Sequence, residues 1–162
     1  MEIIGDKIIL KSYTLERCHE FYRSYISDPS MTYSNYIYIE EKVNEYFRSK
    51  VLDQSRHFFA ICINESVIGE IQLKRIDLEE RHGTLSIHLI NDKYKGYGYG
   101  TEAEKLMIEF AGNELGLQTI YADTVHRNDR SKHILLKLGF EYLYDDEVLS
   151  YFKIDLTTTN RH

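Results

Sequence analysis

Three strand-like runs follow one another with no helix between them, and then the rhythm changes. His57 to Ile63 is apolar on both faces. Val67 to Leu73 sets Val67, Gly69, Ile71 and Leu73 opposite Glu70 and Gln72. Thr84 to Ile90 sets Leu85, Ile87 and Leu89 opposite Ser86 and His88. Period-two alternation assigns each set to one side of a sheet. Turn residues such as Asn64-Glu65-Ser66 fold the runs back into an antiparallel meander. From Glu102 to Leu115 the period becomes helical, with Ala103, Leu106, Met107, Phe110 and Ala111 on one stripe. A sheet and amphipathic helices that must cover each other define the α/β or α+β class.

The remaining elements read in the same way. Lys7 to Lys11 is a first strand. Thr14 to Ser27 and Glu40 to Leu52 are helices, the first stopped by Asp28-Pro29. Thr119 to Val125 is a strand and Asp129 to Leu138 a helix. Phe140 to Tyr144 and Val148 to Leu156 are two final strands. The predicted order is β-α-α-β-β-β-α-β-α-β-β, a mixed, mostly antiparallel central sheet. With 162 residues and no linker or repeat, residues 1–162 are expected to form one domain.

Charge and cysteine content narrow the partners. A net charge of −6 argues against a nucleic-acid partner, which requires a basic face. No apolar run is long enough to cross a bilayer, so no membrane partner is expected. Met1 to Gly5 lacks the basic start and apolar run of a signal peptide. Cys18 and Cys62 lack C-x-x-C spacing, and two thiols without a secretion signal read as reduced core cysteines of a cytoplasmic protein. No metal site is expected. Whether the chain forms a homodimer is left open.

The chemistry concentrates between a strand and a helix, at Lys95-Gly96-Tyr97-Gly98-Tyr99-Gly100-Thr101. Closely spaced glycines let backbone N–H groups converge on one concavity. The next helix adds its unpaired first-turn amides and the positive end of its dipole. Together these suit a phosphate group. The spacing is neither G-x-x-x-x-G-K-[ST] nor G-x-G-x-x-G, which argues against a P-loop and a dinucleotide fold. A plain glycine turn is the alternative, since Thr101-Glu102-Ala103-Glu104 is a capping box that would start a helix by itself.

The stretch from Thr84 to Ala103 resembles the acetyl-CoA motif of the GNAT superfamily of N-acetyltransferases. Its [QR]-x-x-G-x-[GA] pattern reads here as Lys95-x-x-Gly98-x-Gly100, with lysine in the first place. The family's second motif is matched from Asn128 through Ser131 to Gly139-Phe140. The flavour is similar to the ribosomal-protein alanine and spermidine acetyltransferase branches. The resemblance implies that the strand ending at Ile90 splays from a parallel neighbour at Thr119 to Val125. The acetyl-CoA arm would pair with His88, Leu89 and Ile90, the pyrophosphate with Lys95 to Thr101, and Asn128 with the arm. Asn128 is equally a plain helix N-cap.

The implied reaction is direct acetyl transfer to a primary amine: a peptide N-terminus, a polyamine or a small amine. Glu70 and His88, on the polar faces of adjacent strands, are the candidate bases, with Glu70 ranked first. An exposed strand carboxylate and a packed histidine are their ordinary alternatives. Where many family members carry a tyrosine that protonates the departing thiolate, this chain has Leu135. Ser131, one turn earlier, resembles the serine of the ribosomal-protein branch and is the candidate donor, unless it merely faces solvent. Tyr33, Tyr36 and Tyr38 fall where the family covers its acceptor, and tyrosine faces hold ammonium groups. They are equally read as loop aromatics. A non-catalytic acyl-CoA-binding module and a phosphate-binding domain are the rival readings.

Overall fold

The computed structural model describes residues 1–27 and 36–156. Among these, the expected meander is present as β3 (His57–Ile63), β4 (Ser66–Asp77) and β5 (His82–Leu89). It is the centre of a sheet with β1 (Glu2–Ile4), β2 (Ile9–Ser12), β6 (Thr119–Val125), β7 (Glu141–Asp145) and β8 (Leu149–Asp155). The strand order is β1-β2-β3-β4-β5-β6-β8-β7. All neighbours are antiparallel except β5 and β6. The described helices are α1 (Leu15–Ser24), α2 (Glu40–Tyr46), α3 (Tyr99–Asn113) and α4 (Asp129–Lys137). No described helix is long and apolar enough to cross a membrane.

Helices cover both faces, which is why β3 is apolar on both. Phe58, Ala60 and Cys62 pack with Cys18 and Phe21 of α1 and Val43 of α2. Phe59 and Ile61 pack with Ala103, Met107 and Ala111 of α3 and Leu135 of α4. Leu15 to Ser24 folds as a helix because Thr14 accepts the Arg17 N–H and its apolar positions recur on one side. The two cysteines are buried and unpaired. Polar β4 positions are buried too, because α1 and α2 lie over them: Glu70 and Gln72 are both in the interior.

Three details differ from the sequence reading. A short β1 precedes the first strand, and the turn between them is closed by the Gly5 N–H on the Ile8 carbonyl at 2.9 Å. Glu102 of α3 holds this hairpin, its carboxylate accepting the Lys7 and Ile8 N–H groups at 2.8 and 2.9 Å. The second helix is shorter than Glu40 to Leu52 suggests, ending in a π-helical turn at Phe47–Val51. The last hairpin does not simply extend the sheet, because β8 inserts between β6 and β7.

Candidate active site

β5 and β6 pair only at His82–Thr119, Gly83–Ile120 and Thr84–Tyr121, and then diverge. On its other edge β5 stays paired with β4 as far as Leu89 against Gly69. Ile90 continues that ladder, donating its N–H to the Ile68 carbonyl at 2.7 Å, while its own carbonyl accepts the Ile26 N–H at 2.9 Å. Bonded residues alternate along an antiparallel strand. The backbone groups of Ile87 and Leu89 therefore point away from β4, into the opening. By the same alternation the His88 backbone faces β4, and that of Ile90 is occupied inside the protein, a correction to their expected places beside Leu89. Ile87 stands at the opening instead.

One end of the opening meets the glycine-rich loop. Gly96 and Gly98 have φ of 85° and 84°, the left-handed region that glycine adopts freely. A Cβ at Gly96 would meet nothing within 4 Å, whereas one at Gly98 would lie 2.9 Å from Lys7 Nζ. α3 starts at Tyr99, directly after Gly98, and no side chain caps it. The capping box at Thr101 is therefore not the start signal: Thr101 lies inside the first turn, and Glu102 binds the β1–β2 turn. What remains is a concave loop followed by uncapped helix amides, the arrangement that attracts an anion.

Cations surround this loop. Lys7 donates to the Tyr97 carbonyl at 3.0 Å, Lys95 pairs with Asp92 at 2.9 Å, and Arg130 lines the cavity beneath. Lys95, Gly100 and Asn128 line the same cavity. Tyr97 is exposed and its ring lies 5.7 Å from that of Tyr99. Asn128 is buried and caps α4, its side-chain oxygen accepting the Ser131 N–H at 3.1 Å. Its two expected positions are thus compatible: the N-cap of α4 is also the cavity wall. Ser131 lines both this cavity and the second one between β5 and β6, where Leu135 joins it.

On the opposite face of the sheet, the register places Glu70 directly beside His88. Glu70 is 2% exposed. Its carboxylate accepts Tyr13 at 2.7 Å, Tyr22 at 2.8 Å and Tyr46 at 3.2 Å. His88 Nδ1 lies 3.5 Å from Oε1. Burial, and then the charge of Glu70, push the phenols of Tyr13, Tyr22 and Tyr46 well above the usual tyrosine range. Glu70 is therefore no exposed strand carboxylate. It stands behind a wall of tyrosine hydroxyls, while His88 lines both cavities of the opening.

The expected acceptor tyrosines separate. Tyr33 lies outside the described residues. Tyr36 packs its ring 5.2 Å from Tyr22 and 5.4 Å from Tyr25, and lines a cavity with Tyr22, Val43 and Tyr46. Tyr38 instead bonds His19 Nδ1 at 2.7 Å beneath Arg23, and His19 Nε2 reaches Asn44 at 2.7 Å, tying α1 to α2.

Residues 7–141 match the family model described as an acetyltransferase (GNAT) domain. The chain belongs to the GNAT family. Among curated relatives, the spermidine N(1)-acetyltransferase of Escherichia coli K12 is 27% identical over 99 residues, covering 61% of this chain and 53% of that protein. An uncharacterized N-acetyltransferase of Schizosaccharomyces pombe is 30% identical over 126 residues, covering 78% of this chain and 61% of that protein. The chain thus spans roughly half to three-fifths of these relatives. Spermidine N-acetyltransferase from Vibrio cholerae, solved with CoA and spermine, superposes with a TM-score of 0.79 at 14% identity, covering 93% of this chain and 96% of that one. The microcin C7 self-immunity acetyltransferase, solved with acetyl-CoA and AMP, gives 0.77 at 15% identity and 94% of each chain. These structures share the GNAT fold, including its mixed sheet with one parallel pair.

Some residues of this GNAT site escaped the sequence reading. Tyr22 and Tyr46 looked like ordinary apolar helix positions, and Tyr13 lies just before the first helix. The available signal was composition: fourteen tyrosines and no tryptophan. Lys7 and Arg130 come from distant segments and carried no local signal. Glu104 did carry one, because it occupies the apolar stripe of α3 with Gly100, Ala103, Met107 and Ala111.

Proposed function

We propose that this GNAT protein transfers acetyl from acetyl-CoA to the nitrogen of a small alkylamine or polyamine. The observation that carries the reading is the divergence of β5 from β6 beside the His88–Glu70 pair. The open edge of β5 offers the Ile87 and Leu89 backbone to an extended amide-bearing arm, much as a strand adds to a sheet. The loop from Lys95 to Thr101, with Lys7 and Arg130, suits the pyrophosphate. Gly96 leaves room there for close approach.

The acceptor side is the tyrosine face. Aromatic rings attract an ammonium group, and the buried Glu70 charge behind them adds to that attraction. An alkylammonium must lose a proton before it attacks, since its pKa is near 10. His88 faces the opening and takes that proton, directly or through one water. Glu70, 3.5 Å from Nδ1, orients the ring. This reverses the order suggested by sequence alone. The Leu89 N–H, turned towards the opening, is the donor for oxygen charge that develops during attack.

Thiol release from acetyl-CoA, measured across spermidine, spermine, short alkylamines and peptides with free N-termini, tests the reading. Turnover with the amines, above that with the peptides, is the expected result. CoA binding without thiol release for any acceptor would instead favour a non-catalytic module.

A further inference from the structure

The acidic side chain on the apolar stripe of α3 has no part in the steps assigned to His88, Glu70 and Leu89. Glu104 is 5% exposed. It makes no hydrogen bond or ion pair with any described residue, although most buried polar groups have a partner. Its place explains where it points. It follows Gly100 by one helical turn, and a Cβ on Gly100 would be 3.8 Å from both Ile87 and Leu89 of β5. Glu104 lines both cavities of the opening, and His88 and Ser131 do so with it.

The opening is reached from two sides. His88 enters from the face covered by α1 and α2, where the tyrosines stand. Glu104 enters from the face covered by α3 and α4, below the phosphate loop. An amine arriving on the tyrosine side and a thioester arriving along the loop side would meet between them. The nitrogen would then lie towards His88 and the sulfur towards Glu104.

We propose that Glu104 is the proton donor to the sulfur of the departing CoA. The proposal rests on the acetyltransferase reading. His88 passes the ammonium proton on to solvent before attack and takes the second nitrogen proton as the new C–N bond forms. The C–S bond breaks, its electron pair goes to sulfur, and the Glu104 carboxyl proton follows, giving CoA thiol and a carboxylate. Solvent reprotonates Glu104 and deprotonates His88 once the opening empties. No other reactant is needed.

The environment suits a neutral acid. Burial pushes the Glu104 carboxyl up to about 8, close to the range of a thiol. Tyr25, His88, Lys95 and Arg130 line the first cavity around it, and Lys74 and Asp123 the second. A hydroxyl such as that of Ser131 can only share its hydrogen bond at neutral pH, whereas a carboxyl in this range can give its proton away and recover it.

The test uses the full chain and Glu104→Gln, which keeps the shape and neutrality of the protonated side chain. Infrared difference spectra at pH 7 should show a protonated-carboxyl band in the wild type that Glu104→Gln lacks. CoA and acetyl-CoA should shift it, and desulfo-CoA should not. Kinetically, Glu104→Gln should lower kcat roughly ten- to a hundredfold at unchanged KM for acetyl-CoA. It should also abolish the wild-type fall in kcat as pH rises through about 8. Glu104→Gln with wild-type kcat and the same alkaline limb would overturn the proposal. So would a carboxyl band that CoA binding leaves unmoved. The two arms fail separately: a wild-type chain that acetylates no amine overturns the acetyltransferase reading, whereas an unmoved band in a CoA-binding chain overturns the placement of Glu104.

Discussion

Two carboxyl groups are buried on opposite faces of one sheet, and they are treated in opposite ways. Glu70, under α1 and α2, receives three tyrosine hydroxyls and stands beside His88. Glu104, on α3, receives nothing from any described residue and burial alone sets its protonation. Donors stabilise a charge that burial would otherwise expel, and their absence leaves the neutral acid. Equal burial therefore yields an anchor for positive charge on the amine side and a proton source on the sulfur side. Separating two ionisable groups in this manner is how one site performs acid and base steps at one pH.

The largest effect expected from this contrast is on stability against pH. The unfolded chain ionises Glu104 near 4.5, and the native chain near 8. Between these values the native state holds a proton that the unfolded state lacks, so stability falls as pH rises and levels off above about 8. Glu104→Gln removes this slope. Denaturant titrations should find it more stable than wild type by on the order of 4 kcal/mol at pH 9, and nearly equal at pH 4. A constant difference across this range would break the contrast at its Glu104 end.

Glu70→Ala should act in the opposite sense. It strands the Tyr13, Tyr22 and Tyr46 hydroxyls in a closed site, at a cost of about 3 kcal/mol or more. That loss should appear in the denaturation midpoint at pH 7, with a smaller one for Glu70→Gln, which keeps an acceptor. Parity of both variants with wild type would mean that the tyrosines find other partners and Glu70 is no anchor.

His88→Gln sharpens the division of labour between neighbours. It should lower kcat/KM about a hundredfold, or about 2.7 kcal/mol, while calorimetric CoA affinity holds. A greater catalytic loss in Glu70→Gln than in His88→Gln would return the base role to Glu70. The smallest expected effect concerns the loop shared by both sides. Gly98→Val meets Lys7 and a left-handed φ, and should weaken CoA binding about tenfold, or about 1.4 kcal/mol, without altering far-UV dichroism. Unchanged affinity in the folded variant would remove the loop from the CoA site.

Much of the molecule was legible in the chain itself. Local periodicity determined the meander, the two long helices of the second half and the glycine turn before α3, because each signal lies within a window of one element. Alternation also placed Glu70 opposite the apolar side of its strand. It did not reveal that Glu70 would be buried, since that depends on α1 and α2 folding over it. The Gly98 start of α3 was obscured by the capping box at Thr101, inside which Glu102 serves a hairpin about ninety-five positions away in the chain. Only the tertiary structure decided which hydroxyls clasp Glu70, that Ile90 turns its backbone inward, and that Glu104 finds no hydrogen-bond partner among the described residues. Sequence spacing sets which way a side chain leaves its own helix or strand. What meets it there, and hence whether a carboxyl stays charged or keeps its proton, is set by elements remote in sequence that long-range packing brings together.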